Sequence, residues 1–304
     1  MVGGMRKINF RKVYVEISNS CNLKCDFCPQ SSLKRPTAFM NEKLFESLIV
    51  QLNPLTNMIC LHVMGEPLFH PNLKGLLEIC EKNGMPVSVV TNGVLLNSEL
   101  QETLMSPSVL QVNFSLQSFE SNYKGMDNKS YLEKIFRFTK KALAENDEIH
   151  IHYRLWNAGN LEDALKKNAL TLERIREAFD LPEGIMDDIS ILGNRLKGNL
   201  FLNVSENFDW PTLDMPFQSN YGRCKALKNQ IAILSDGTVV PCCFDCEGVI
   251  KLGDAKKDSI VDILNSERAM KMFKGFQSNQ LVEDLCQRCT YIDRFQKPNN
   301  QPRS

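Results

Sequence analysis

The sequence predicts an α/β fold: a partial (βα)6 barrel of parallel strands, followed by a small C-terminal domain made of a β-hairpin and a helix. Three observations predict this fold. Short β-branched runs alternate with amphipathic stretches over about the first 200 of 304 residues, which is typical of parallel sheets with right-handed crossovers. Six such units are too few for a closed, eight-stranded TIM barrel, so a partial, TIM-like barrel is expected. Beyond about residue 206 the alternation stops and cysteines become frequent.

The strand and helix segments of the predicted barrel follow each other along the chain. The predicted strands are 13–18, 59–64, 87–91, 112–117, 148–154 and 190–193. The predicted helices are 41–52, 72–82, 97–105, 129–145 and 161–179. Asn41 is the expected N-cap of the first helix, because its short side chain can accept a hydrogen bond from an unpaired backbone N–H. The loops that follow parallel strands gather on one face, and a ligand site is expected there.

The remainder of the chain is predicted to form a different kind of structure. Residues 205–223 are irregular and turn-rich. Residues 230–235 and 238–244 then form a predicted hairpin, joined by Asp236-Gly237, which is a strong turn signal. A helix is predicted near 258–275. Three units follow from this pattern: a barrel at 12–205, a cluster-binding domain at 206–294 and a disordered tail at 295–304.

Composition and charge exclude several classes of protein. Lysine and arginine number 36, as do aspartate and glutamate, so the formal net charge is zero. A neutral chain is not typical of proteins that bind nucleic acid, but a local basic patch does not show in the net charge, so a nucleic-acid partner is disfavoured and not excluded. We find no run of about 18 apolar residues, which a membrane helix requires, and no secretory signal at the N-terminus. The expected location is therefore the cytoplasm, where disulfides are rare.

The eleven cysteines therefore call for another explanation, and nine of them fall into two groups. The groups are Cys21, Cys25 and Cys28, and Cys224, Cys242, Cys243, Cys246, Cys286 and Cys289. Short spacings in two separate groups predict two metal or cluster sites. Three thiolates of the first group can ligate three irons of a four-iron cluster and leave the fourth iron open to a substrate. The alternative is a zinc site that Cys60 or His62 completes.

The spacing Cys21-x3-Cys25-x2-Cys28 after the first strand resembles the signature of the radical S-adenosylmethionine (radical SAM) enzymes. Gly65-Glu66-Pro67 resembles the family's GGEP motif, although Met64 replaces its first glycine, and residues 91–93 resemble its TNG turn. The resemblance implies SAM contacts at Phe27, Gly65, Glu66, Pro67, Thr91, Asn92, Gly93, Ser115, Gln117 and Arg154.

The resemblance also implies a role for several of these residues. Phe27 would lie against the adenine, the backbone of the GEP motif would hold the methionine amino group, and Arg154 would pair with the methionine carboxylate. Ser115 and Gln117 are placed on the fourth strand, where Gln117 replaces the family's aspartate. The implied chemistry is reductive cleavage of SAM to a 5'-deoxyadenosyl radical, which abstracts a hydrogen from the substrate. A flavodoxin or ferredoxin would supply the electron.

The second cysteine group resembles the C-terminal SPASM/twitch extension of the same family. Only one cysteine pair occurs late in the chain, so the shorter twitch form with one auxiliary four-iron cluster fits best. The expected ligands are Cys224, Cys242, Cys286 and Cys289. A four-cysteine zinc site is the alternative, and Cys243 or Cys246 could replace Cys242. Asp245 is a candidate general base, and Cys246 a candidate proton or hydrogen donor.

The leading interpretation is a radical SAM oxidoreductase with two 4Fe-4S clusters and an unknown substrate. Relatives with a twitch domain include an aminocyclitol dehydrogenase, which slightly favours a small-molecule alcohol. The first cysteine loop begins at residue 21, so we expect no separate peptide-binding domain before it. A peptide or protein maturase is the alternative. A non-enzymatic iron–sulfur or zinc protein is a further alternative, which the GEP and TNG motifs disfavour.

Overall fold

The computed structural model describes residues 8–186, 189–190 and 193–296, and within them ten strands form one sheet. The strands are β1 (Lys12–Val15), β2 (Ile59–Cys60), β3 (Val87–Thr91), β4 (Val109–Ser115), β5 (His150–Ala158), β6 (Asn194–Lys197), β7 (Leu200–Glu206), β8 (Gln230–Ile233), β9 (Thr238–Val240) and β10 (Gly253–Asp254). Their order in the sheet is β10-β9-β8-β1-β2-β3-β4-β5-β7-β6.

Parallel pairing runs through the middle of this sheet. From β8 through β1, β2, β3, β4 and β5 to β7, every neighbouring pair is parallel. The outer pairs are antiparallel: β6 with β7, β8 with β9, and β9 with β10. Among the described strands, β10 and β6 lie at the two edges of the sheet and do not pair with each other, as in a partial barrel. The predicted α/β class is confirmed.

The helices connect these strands and cover the sheet. They are α1 (Glu42–Leu52), α2 (Leu73–Lys82), α3 (Ser98–Leu104), α4 (Gln117–Asn122), α5 (Lys129–Glu145), α6 (Leu161–Lys167), α7 (Ala169–Ala178), α8 (Ile260–Leu264), α9 (Glu267–Gln277), α10 (Asp284–Gln287) and α11 (Asp293–Gln296). Short 3-10 helices lie at Pro29–Ser32, Pro67–Phe69, Glu183–Met186 and Thr290–Ile292. No helix in the described ranges is long and apolar enough to cross a membrane.

Helix α1 has the N-cap and the apolar face that the sequence predicts. Asn41 caps α1, as predicted: its side chain accepts a hydrogen bond from the Leu44 backbone N–H at 2.8 Å. The buried residues of α1 recur at helical spacing and form one apolar face, which joins the core. They are Phe45, Leu48, Ile49 and Leu52.

Two predicted helices are each divided in the structure. The segment 161–179 breaks at Asn168, which is 4% exposed and whose side-chain amide donates to the Asn157 Oδ1 at 2.9 Å and to the Ala164 carbonyl at 2.7 Å. The segment near 258–275 breaks at Asn265, and Ser266 caps the helix that follows. Polar side chains that bond to nearby backbone favour helix ends over helix interiors, which accounts for both breaks.

Several predicted strands also differ from the structure: the strand predicted at 13–18 is Lys12–Val15, and the one predicted at 59–64 is Ile59–Cys60. The prediction of a sixth strand at 190–193 falls partly on residues 191–192, which lie outside the described residues. The sixth parallel strand of the barrel is β7, and it follows the antiparallel β6. The predicted strand 112–117 is too long: β4 ends at Ser115, and Gln117 begins α4. The placement of Gln117 on the fourth strand is therefore wrong.

The C-terminal hairpin forms where the sequence predicts it. Gly237 has a φ of +90°, a conformation that favours glycine, and its N–H donates to the Leu234 carbonyl at 2.8 Å. β8 pairs in parallel with β1, so the hairpin extends the barrel's sheet instead of forming a separate one. The domain boundaries of the sequence analysis stay a prediction. Most of the predicted disordered tail, 297–304, lies outside the described residues.

A buried ion pair connects the first strand to the C-terminal hairpin. Glu16, which is 0% exposed, accepts two hydrogen bonds from the Arg35 guanidinium at 2.9 and 3.0 Å. The same carboxylate accepts from the Met64 backbone N–H at 3.1 Å and from the Ser235 N–H and hydroxyl at 3.1 and 2.9 Å. Arg35 also donates from Nε to the Cys246 carbonyl at 2.6 Å. One carboxylate thus holds four separate segments together.

Replacing Glu16 by alanine is expected to lower the free energy of unfolding by about 3–5 kcal/mol, because the Arg35 charge then stays buried without its partner. Urea denaturation of the variant and the wild type measures the difference. The matched control is Glu78→Ala, which removes an exposed ion pair to Lys74 and is expected to change stability by less than about 1 kcal/mol. Equal effects of the two substitutions would contradict the structural role given to Glu16.

Candidate active site

The three thiols of the first cysteine group lie on the loop that follows β1, and they are half-buried. Burial raises the pKa of Cys21 to about 12, and the nearby charges of Glu66, Cys25 and Cys28 add to this shift. Burial likewise raises the pKa of Cys28 to about 11, with a contribution from Cys25. The mutual influence of the three thiols shows that the loop gathers them, as the spacing predicts.

Helix α4 holds this loop in place. The Asp26 N–H donates to the Ser121 hydroxyl at 3.0 Å, and that hydroxyl donates to the Asp26 carboxylate at 2.8 Å. The Lys24 N–H donates to the Asn122 side-chain oxygen at 2.8 Å, and the Asn122 amide nitrogen donates to the Cys25 sulfur at 3.1 Å. The sequence analysis missed both Ser121 and Asn122, because α4 has no apolar periodicity that would predict a helix.

The GEP motif packs directly against the residues that precede Cys21. Gly65 has a φ of +77°, and a Cβ at this position would lie 2.3 Å from the Ser18 carbonyl oxygen, so only glycine fits. The Glu66 N–H donates to the Ser20 carbonyl at 2.8 Å. Burial raises the pKa of Glu66 to about 7. Pro67 begins a 3-10 helix that the Glu66 side chain caps.

The TNG turn joins the same cluster of loops. The Glu66 carboxylate accepts from the Asn92 N–H at 2.7 Å, which ties the GEP motif to the turn. The Asn92 side chain donates to the Asn22 side-chain oxygen at 2.9 Å and approaches the Cys21 sulfur at 3.9 Å. The Thr91 hydroxyl accepts from the Gly93 N–H at 3.0 Å. The two motifs therefore shape the cysteine loop, as expected from their positions after neighbouring strands.

Arg154 lies next to Ser115 in the sheet and close to His62 and Trp156. Its guanidinium carbon lies 3.7 Å from the centre of the Trp156 ring. Burial lowers the pKa of Arg154 to about 10, which leaves it charged at neutral pH. Four buried polar atoms have no hydrogen-bond partner among the described residues here: His62 Nδ1, Gln117 Oε1, Arg154 Nε and Trp156 Nε1.

Such orphaned atoms indicate a polar ligand, because buried polar groups are nearly always hydrogen-bonded. His62 follows β2, Gln117 follows β4, and Arg154 and Trp156 lie on β5. The carboxyl ends of parallel strands form the edge where α/β proteins bind ligands. Gln117 and Arg154 are two of the residues that the sequence analysis assigns to SAM, and the arrangement fits that cofactor. His62 and Trp156 belong to the same set, although the sequence analysis assigns neither of them to SAM and names His62 only as a possible zinc ligand.

A cavity of about 850 Å³ opens beside the cysteine loop. Phe27, Cys28 and Gln117 line it, together with Asn157 and the segment 207–210. Of the residues assigned to SAM, Phe27 and Gln117 thus reach the cavity. The GEP and TNG residues, Ser115 and Arg154 are not among its lining residues; the two motifs contact the cysteine loop instead.

The second cysteine group forms a site of its own. A small cavity of about 40 Å³ is lined by all four predicted auxiliary ligands, and it is otherwise mostly apolar. These four cysteines are Cys224, Cys242, Cys286 and Cys289. Burial raises the pKa of Cys224 to about 11, with a contribution from Cys289, and raises that of Cys242, with contributions from Cys224 and Cys286. Four thiols from three distant segments therefore converge.

The two remaining cysteines of this group do not line that cavity. Cys243 is hydrogen-bonded to the Tyr14 hydroxyl, on the barrel side. Cys246 is 6% exposed and belongs to an apolar cluster that also contacts Cys28. Burial raises the pKa of Cys246 to about 12. Neither position favours replacing Cys242 as a ligand, and the role of Cys246 as a donor stays a prediction.

Asp245 lies in the wall of the small cavity and is 1% exposed. Its two carboxylate oxygens accept hydrogen bonds from the Val249 and Ile250 N–H groups, both at 2.8 Å. Burial raises its pKa. These bonds help to fix the shape of the loop after Cys242. Asp245 is not among the residues that line the 850 Å³ cavity. A role as general base stays a prediction.

The thiol geometry also bears on the zinc alternatives. All eleven cysteines are free, and in the described part of the chain no three His, Cys, Asp or Glu side chains are arranged to hold one metal ion. A cuboidal cluster has a different requirement, because each thiolate binds a separate iron and the thiols need not converge on one metal ion. The groups that influence the pKa of Cys60 are Lys12, Ser88, Cys243 and Arg154, and none of them belongs to the first cysteine group.

Two family models match the chain on either side of the proposed boundary. Residues 15–153 match the radical SAM superfamily, and residues 224–290 match SPASM, an iron–sulfur cluster-binding domain. The protein is therefore a member of the radical SAM superfamily with a C-terminal SPASM domain. The predicted cofactors, 4Fe-4S clusters and SAM, are those of this family.

The individual relatives share 30% or less of their residues with this chain over the matched regions. The tungsten-containing aldehyde ferredoxin oxidoreductase cofactor-modifying protein of Pyrococcus furiosus is 30% identical over 34% of this chain, and the match spans 30% of its own length. The S-adenosyl-L-methionine-dependent 2-deoxy-scyllo-inosamine dehydrogenase of Niallia circulans is 24% identical over 93% of this chain and 94% of its own. The crystal structure of BtrN in complex with AdoMet and 2-DOIA matches with a TM-score of 0.61 at 20% identity, covering 94% of each chain, which supports the fold.

Proposed function

We propose that this protein is a radical SAM oxidoreductase that oxidises an alcohol group of a small polar molecule. The observation that carries the proposal is the large cavity beside Cys28 and Phe27, which is lined mainly by polar side chains. A relative that matches over nearly its full length is a dehydrogenase of 2-deoxy-scyllo-inosamine, which supports a small-molecule substrate.

Different residues would have different roles in this reaction. Cys21, Cys25 and Cys28 would hold the first cluster, and the GEP and TNG motifs fix the shape of their loop. When bound, the cluster and SAM supply a 5'-deoxyadenosyl radical. Phe27 and Gln117 would contact SAM from the cavity side, and the charged Arg154 would pair with its carboxylate.

The electron and proton balance of an alcohol oxidation requires three acceptors. The alcohol carbon loses one hydrogen atom to the adenosyl group, the hydroxyl loses one proton to a base, and one electron leaves the substrate. Cys224, Cys242, Cys286 and Cys289 would hold an auxiliary cluster, which would supply the acceptor for that electron. A flavodoxin or ferredoxin in the cytoplasm would supply the electron that starts the reaction.

The proposal is tested with the reconstituted protein, SAM, dithionite and 2-deoxy-scyllo-inosamine as the probe. We expect the probe to raise the rate of 5'-deoxyadenosine formation several-fold and to be converted to a ketone, both measured by mass spectrometry. SAM cleavage that the probe leaves unchanged would overturn the small-molecule assignment. A parallel arm with precursor-type peptides then tests the maturase alternative.

A further inference from the structure

The side-chain amide of Asn122 makes three hydrogen-bond contacts at the end of α4, and one of them is with sulfur. Its oxygen accepts from the Lys24 N–H at 2.8 Å. Its nitrogen donates to the Ser118 carbonyl, one turn earlier in α4, at 2.9 Å, and to the Cys25 sulfur at 3.1 Å. A further loop contact, from the Asp26 N–H to Ser121, lies beside it.

These partners determine which end of the amide faces the sulfur. Oxygen and nitrogen of an asparagine side chain are assigned from the hydrogen-bond network. Here the Lys24 N–H can only donate, so it must meet the oxygen, and the Ser118 carbonyl can only accept, so it must meet the nitrogen. The amide nitrogen carries two hydrogens. One is directed to Ser118, and the other is left for Cys25.

No comparable side-chain contact is seen at the other two sulfurs of the described loop. Asn92 approaches the Cys21 sulfur at 3.9 Å, but its amide nitrogen has a shorter contact with the Asn22 oxygen at 2.9 Å. Leu23 reaches the Cys21 sulfur through its backbone N–H at 3.4 Å. The Asn122 contact is the short one made by a side chain, and a substitution can remove it without altering the backbone.

We propose that Asn122 is a positioning residue that raises the reduction potential of the SAM-cleaving cluster through its N–H···S bond to Cys25. The proposal rests on the assignment of that cluster to Cys21, Cys25 and Cys28. Hydrogen bonds to the sulfurs of iron–sulfur clusters help to set their potentials. Reduction adds negative charge to the cluster and its thiolates, so a donor N–H stabilises the reduced form more than the oxidised form.

The test compares Asn122→Ala and Asn122→Asp with the wild type in redox titrations followed by EPR. The aspartate keeps the oxygen that accepts from Lys24, but it loses the bonds to Cys25 and Ser118 and adds a negative charge. The neutral alanine variant removes the sulfur contact without that charge, so the two variants together separate the hydrogen bond from the charge. At the wild-type midpoint we expect the ratio of reduced to oxidised cluster to fall about tenfold in the aspartate variant, a shift of about 59 mV for one electron. The alanine variant should shift less, in the same direction.

Ser121→Ala is the matched control, because it removes the neighbouring loop contacts to Asp26 without touching a sulfur. We expect it to leave the potential unchanged. A potential equal to that of the wild type in both Asn122 variants would overturn the proposal, as would an equal shift in Ser121→Ala. The bond also predicts an exchangeable deuteron coupled to the wild-type cluster, seen by pulsed EPR in D2O and lost in Asn122→Asp.

This test can fail independently of the proposed alcohol oxidation, because it measures a reduction potential and not a reaction rate. The titration needs neither SAM nor substrate, so a wild type that fails to cleave SAM leaves the comparison of potentials intact. If a variant binds less iron than the wild type, the deuteron coupling is measured on the fraction that carries the cluster, and it still shows whether the N–H···S bond is present. The absence of that coupling in the wild type would overturn the proposal.

Discussion

Replacing Cys21, Cys25 and Cys28 together by alanine is expected to abolish reductive SAM cleavage and to remove about four irons per chain. The three thiols share one loop that follows β1, and α4, the GEP motif and the TNG turn all hold its shape. Without the thiolates nothing on the loop ligates iron, so the electron has no path into SAM. Iron analysis and the yield of 5'-deoxyadenosine after anaerobic reconstitution measure the two effects.

Cys80→Ala serves as the control for that triple variant. Cys80 is a buried thiol of α2 in the hydrophobic core, outside both cysteine groups. We expect it to retain the wild-type iron content per folded chain. Formation of 5'-deoxyadenosine by the triple variant at the wild-type rate would contradict the assignment of the cluster.

The double variant Cys286→Ala with Cys289→Ala is expected to separate the two clusters. Both thiols line the small cavity, so the variant should lose the second cluster and about four irons. The loop at residues 21–28 is untouched, and SAM cleavage should persist. Substrate turnover should fall to near zero, because the electron that leaves the substrate has lost its acceptor. Iron content, 5'-deoxyadenosine and product are measured in the same reaction.

Two outcomes would contradict this account of the second site. Normal substrate turnover by the double variant would make the site structural. Zinc in place of iron in the purified wild type would restore the four-cysteine zinc alternative, for which a Cys-x2-Cys pair is equally suitable. The control is again Cys80→Ala, since it removes a buried thiol from outside the cavity.

The parts of the fold that depend on short-range pattern could be predicted from the sequence. The alternation of strands and helices, the Asn41 cap and the turn at Gly237 each depend on a few adjacent residues. The convergence of the cysteine loop with the GEP and TNG motifs also follows, because loops after neighbouring parallel strands meet at one edge.

Other features depend on contacts between distant segments, and the sequence does not reveal them. Glu16 and Arg35 look like ordinary charged residues until the fold brings Met64 and Ser235 to the same carboxylate. The sixth parallel strand is displaced to β7 because β6 pairs with it in a hairpin. Asn122 reaches Cys25 across 97 residues of sequence, through a helix that lacks apolar periodicity.

Reductive cleavage of SAM by the wild-type protein tests the central claim most directly. The protein is reconstituted with iron and sulfide under anaerobic conditions, mixed with SAM and dithionite, and assayed for 5'-deoxyadenosine and methionine. The structure and the family predict that both products form, and that their formation requires the reductant and the cysteine loop. A protein that carries its full complement of iron and forms no 5'-deoxyadenosine above the reductant-free control would contradict the claim.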